Sequence, residues 1–212
     1  MSLNQGIIGV QNGADGGTPI TQRLGQQGDV LVSGLHGDYY EQAVRGNVFY
    51  GSNGATPSVT TVALATTYTG LALINPAGSG VNASILKVGY SFLVVFPAVA
   101  TIGLMVGYSS AGTVTFGAAA SPGISSKIGD ATASVCRVAL SATLVGTPTL
   151  HTVFGSGLTG AATTVPMIPQ NIDMGGSVVL APGAYAAIYT STISGAAALA
   201  GSFLWEEIPL IR

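Results

Sequence analysis

After residue 50 the chain is written almost entirely in Val, Thr, Ile and Ala runs of four to ten residues, cut by Gly, Pro, Asn and Ser. Runs of that length with that punctuation build strands and turns, and they leave no room for a long amphipathic helix. The pattern predicts strands near 58–68, 70–75, 83–96, 100–107, 112–117, 134–145, 149–154, 176–180, 184–190 and 200–208. Turns are expected at 51–57, 77–80, 121–123, 155–164 and 181–183, where Gly and Pro concentrate. Ten short strands within about 160 residues fit an all-β body spanning 51–212, a β-sandwich or jelly roll.

The first fifty residues have another composition. They carry Asp15, Arg23, Asp29, Asp38, Glu41 and Arg45, many Gly and Gln, and few apolar runs. Such a segment cannot close a core of its own and reads as an extended N-terminal arm, 1–50, for contact with a neighbouring subunit. Fully extended it would reach up to about 150 Å.

Charge is scarce throughout. Six basic and eight acidic residues in 212 make 7% of the chain, where a soluble domain ordinarily has about 25%. A compact monomer of this mass exposes on the order of 9,000 Å², so fourteen charges leave wide neutral areas of the kind that mark contact surfaces. The expectation is an obligate oligomer, a homotrimer. With a net charge of −2 and no cluster of Lys and Arg, nucleic acid is not an expected partner. Cys136 is the single cysteine, which rules out an intrachain disulfide.

The start MSLNQGIIGVQ has no basic segment ahead of an apolar run and does not read as a signal peptide. Residues 88–108 are uncharged and long enough for a membrane span, but Pro97 interrupts them, β-branched and aromatic residues surround it, and no basic cluster flanks them. Two buried strands with Pro97 at the corner are expected, and no membrane.

Three segments carry a resemblance. LHGDYYEQAVRGNVFYG at 35–51, INPAGSG at 74–80 with its flanking strands, and VVLAPGAYAAIYT followed by SFLWEEIPL near the C-terminus resemble the head-decoration (cement) proteins of tailed bacteriophages. The resemblance covers about a third of the chain. It implies a jelly-roll trimer on the outer capsid surface, bound to the major capsid protein and gripping the shell or a neighbour with its arm. It also implies a virion structural protein rather than an enzyme. The alternative is a trimeric tail- or head-fibre module that binds a host receptor or glycan.

Contact residues follow from these readings. In the docking segment, His36, Asp38, Tyr39, Tyr40, Glu41 and Arg45 offer polar groups and tyrosine contact area. Residues 70–90 hold one formal charge, Lys87, and read as a hairpin apolar on both faces. Leu73 and Ile74 then point to opposite faces, one against the facing sheet and the other against a sister subunit or the capsid floor. Lys87 would mark the rim of that contact. In SFLWEEIPL the period of two sets Trp205 and Glu207 on one face and Glu206 on the other. The acidic end either reaches solvent or pairs with an arginine, Arg45 or Arg212, of another subunit.

Catalytic and metal-site patterns are weak. Two histidines and one cysteine make zinc ligation an unfavoured reading for His36, Asp38 and Glu41. NGADGGT lacks the terminal acid of a calcium loop, and no Lys-Ser/Thr follows the glycines to make a P-loop. His151 with Asp130 or Asp173 would need a nucleophile that no motif supplies. Cys136 reads as a small buried hydrophobe. No cofactor is expected.

Overall fold

The computed structural model describes residues 5–7, 19–21, 37–53, 58–59, 63–93, 96–109, 114–116, 121–157, 170–194 and 199–210. In chain order its elements are β1 (Gln5–Ile7), β2 (Pro19–Thr21), α1 (Tyr40–Val44), β3 (Val48–Ser52), β4 (Thr67–Tyr68), β5 (Ala72–Ile74), β6 (Val81–Phe92) and β7 (Ala100–Tyr108). They continue with β8 (Thr115–Phe116), β9 (Ser121–Pro122), β10 (Ile124–Ser125), β11 (Arg137–Ala139), β12 (Ala142–Thr143), β13 (Thr149–Gly157), β14 (Gln170–Leu180), β15 (Ala184–Thr190) and β16 (Leu199–Pro209).

The chain divides into two units, Met1–Asp38 and Tyr39–Arg212. In the first, β1 and β2 pair antiparallel with Gly6 opposite Ile20. The second begins earlier than the expected boundary at residue 50, which falls inside β3. Counting charges over 1–50 hid a short structured entry to the body. YEQAV forms α1, which Gly46 ends at φ +77 by donating its N–H to Ala43 O at 3.1 Å. NVFYG then enters the sheet with Val48 and Phe49 buried.

The body is an all-β sandwich. One sheet runs β10-β3-β16-β6-β14, the facing one β13-β7-β15-β5-β11-β9, and every recorded pairing is antiparallel. Between them lie Phe49, Ile85, Val88, Phe92, Phe203 and Trp205 from the first sheet, against Leu73, Ile102, Leu104, Ala186 and Ile188 from the second. A third, small sheet of order β4-β12-β8 accompanies a separate apolar cluster. There Tyr68, Ala142 and Leu144 pack on Ala72, Ile74, Met105, Tyr185 and Ala187, the alternate residues of β5, β7 and β15. The period of two thus sends Leu73 into the sandwich and Ile74 under the small sheet.

Several strand expectations change. The run 134–145 is two strands, because Ser141 takes φ 54 and turns the chain from β11 in the six-stranded sheet to β12 in the small one. Of 58–68, Ser58 makes an isolated bridge to Leu199 and only Thr67–Tyr68 is strand, with Ala63 at φ 53 in a turn; 60–62 lie outside the described residues. The strands on either side of INPAGSG do not form a hairpin. β5 and β6 belong to opposite sheets, and the segment between them is a crossover.

Asn75 explains that crossover. Fully buried, it donates from Nδ2 to Val81 O and to Leu180 O, both at 2.8 Å. Its backbone N–H donates to Ala184 O, and its carbonyl accepts from Gly183 N–H. One amide therefore ties the β5–β6 crossover to the β14–β15 crossover at the same end of the sandwich. Residues on either side of Pro97 behave alike, with β6 and β7 in different sheets. Within the apolar stretch 88–108, residues 88–92 and 100–108 are strand, and among the described residues no helix is long and apolar enough to cross a membrane.

Candidate contact surfaces

Glu207 is buried, and four hydrogen bonds converge on it. The Ser134 hydroxyl, Cys136 N–H (2.9 Å) and Trp205 Nε1–H (3.2 Å) donate to Oε1, and Val135 N–H (3.1 Å) donates to Oε2. β16 carries the carboxylate inward beside Trp205, and the 134–136 segment wraps over it ahead of β11. Burial, and then the charge of Glu207, push the Cys136 thiol pKa above its usual range, so this cysteine is an unreactive core residue. Gly123 has no side chain because a Cβ there would collide with the Trp205 indole.

This arrangement corrects two expectations. Glu207 does not reach solvent, and all four of its donors are neutral, none an arginine. Trp205 is 0% exposed, as is Leu73, and Ile74 is 2% exposed, so these three are core residues rather than contact residues. The second cover expected over the strand of Ile74 exists, and the chain provides it in the small sheet.

The docking segment is only partly brought together. His36 and Arg212 lie outside the described residues. Asp38, Glu41 and Arg45 are exposed, as is Tyr40 at 47%. Tyr39 is half-buried on the outer face of the five-stranded sheet, where Tyr50, Leu204, Lys87 and Asp173 form one cross-strand row. Its hydroxyl donates to Asp173 Oδ1 at 3.3 Å, and Lys87 Nζ lies 5.7 Å from its ring centroid. Lys87 is therefore a local anchor for the start of the body. Glu206, also on this outer face, is half-buried, and burial holds its carboxyl pKa above the usual range.

The next row is Ser52, Ser202, Gly89 and Asn171, which with Ser91 and Gln170 line an uncharged trough of about 310 Å³. A larger groove of about 500 Å³ opens where β13 and β14 end their sheets on the same side of the sandwich. Sequence reasoning missed this groove, because strand order decides which runs end as neighbours and no local pattern reports it.

Among the described residues His151 is not joined to Asp130 or Asp173. His151 Nδ1 lies 2.6 Å from Thr152 Oγ1, Asp130 accepts from Thr132 and pairs with Lys127 at 3.7 Å, and Asp173 accepts from Tyr39 and Gly175 N–H. Among the described residues no three His, Cys, Asp or Glu side chains gather as a metal site requires. The chain matches no family model, and the searches of curated proteins and of solved structures give no match.

Proposed function

We propose that this chain is a structural, non-catalytic component of a tailed-bacteriophage virion, a homotrimer that decorates and stabilises the capsid by binding the major capsid protein lattice from outside. The resemblance of residues 35–51, 74–80 and the 178–190 and 202–210 segments to head-decoration proteins suggests it. The observation that carries it is strand order. The four-strand set β3-β16-β6-β14 facing β13-β7-β15-β5, with the chain changing sheets at nearly every connection, supports reading the sandwich as a jelly roll. Charge scarcity supports shared surfaces independently.

Light scattering of the purified chain at micromolar concentration, followed by sedimentation with undecorated capsids, tests the reading. A mass near three times 21 kDa and saturable binding at hundreds of copies per particle are expected. A stable monomer without capsid affinity refutes it, and a handful of copies confined to tails would move the chain to the fibre class.

A further inference from the structure

The side of the sandwich where β13 and β14 end the two sheets differs from an ordinary protein edge. Among the described residues β14 pairs only with β6 and β13 only with β7, so strands of 11 and 9 residues each have one side without a strand partner among those residues. Monomeric β-proteins protect such edges with lysine, proline, inward-pointing charge or β-bulges. Here β13 has no formal charge and no proline, and β14 has one charge, Asp173, already engaged by Tyr39 and Gly175. The groove between the strands is lined by Val106, Tyr108, His151, Val178, Val179 and Leu180. Tyr108, Val153 and Val179 are 61%, 55% and 53% exposed.

We propose that this wall is the subunit interface and that its occupant is the same wall of a second copy, β13 of one copy facing β14 of the next. The inference rests on the trimer reading above. Two features select a second copy. A nearly uncharged wall meets itself without like-charge repulsion, whereas a strongly charged partner finds nothing there to pair with. The wall also presents two different edges, one from each sheet, and a head-to-tail contact between unlike edges closes into a ring when the rotation allows. Register shifts interrupt β13 between Leu150 and Thr152 and between Val153 and Gly155, and β14 between Asp173 and Val178. These bulges break the unpaired backbone into short lengths, so side chains in the groove make the contact and open-ended strand addition is disfavoured.

The test uses the full chain with Tyr108→Lys and, separately, Val179→Lys. Both side chains are exposed in the single copy, so each variant should keep its fold by circular dichroism while light scattering shows at least a tenfold weaker self-association. Hydrogen exchange of the unaltered protein, above and below its dissociation concentration, should show protection gained in 149–157 and 170–180. A trimer that persists in both variants without such protection overturns this interface and leaves the trimer reading standing. A wild-type monomer overturns both. A wild-type monomer that binds capsids and loses that binding in Val179→Lys shows that the shell, not a second copy, covers the wall.

Discussion

β5 and β16 lie in facing sheets, and their outward residues meet opposite fates. Ala72 and Ile74 of β5 are buried under the small sheet, whereas Ser202, Leu204 and Glu206 of β16 stay half-exposed. A strand apolar on both faces demands a cover, but that demand does not say whose chain supplies it. Here Tyr68, Ala142 and Leu144, from short strands at scattered sequence positions, meet it.

The sharpest way to break that comparison is to place an aspartate at each face of β5. Leu73→Asp and Ile74→Asp should both unfold the body, each costing at least about 4 kcal/mol, because each buries an unpaired carboxylate. Urea denaturation reads this directly. An Ile74→Asp protein that melts like wild type yet fails to assemble would return that face to a partner.

Next in size is the inward side of β16. Glu207→Ala strands the N–H groups of Val135, Cys136 and Trp205 and should cost about 2–4 kcal/mol. Faster amide exchange at 135 and 136 would accompany the loss, and unchanged exchange would mean that Glu207 does not hold the segment.

The small sheet can be probed more gently. The Tyr68 hydroxyl donates to Ile188 O at 2.7 Å, and burial drives its pKa well above the usual range. Tyr68→Phe should therefore cost about 1 kcal/mol at any pH near neutrality; a variant as stable as wild type would show that the apolar cover alone fixes this sheet.

The smallest effect has the opposite sign. With its pKa raised in the folded chain, Glu206 binds its proton more tightly there than when unfolded. Its charge costs stability above the raised value, and the cost fades as pH falls through it. Glu206→Gln should stabilise the fold slightly at pH 7, by less than about 0.5 kcal/mol after solvent screening, seen as a small rise in melting temperature, and not at pH 4. An equal rise at both pH values would point to packing instead.

Strand identity was legible because it is local. The run 184–190 is strand from end to end, and the period of two in SFLWEEIPL correctly grouped Trp205 and Glu207. Partner identity was not legible. Three of the four donors to Glu207 come from some seventy residues earlier, and the acceptors of the Asn75 amide lie 6 and 105 positions away. The turn Asn75-Pro76-Ala77-Gly78 reads equally well as a hairpin or a crossover, since positive φ at Gly78 and Gly80 serves both. Nor does Val179 signal an open wall, because an outward valine on a strand is common until the strand is known to end its sheet.

The adjacency of β3 and β16 also sets a timetable for synthesis. β3 emerges early, but its long neighbour comes about 150 residues later, and its other partner is the two-residue β10. At the usual 5–20 residues per second this leaves Val48 and Phe49 waiting for about 8 to 30 seconds before their side of the sandwich can close. A chain arranged in this way gives a chaperone that shields apolar strands a defined interval in which to act, between the ribosome's release of the first body strand and its release of the one that completes the sheet.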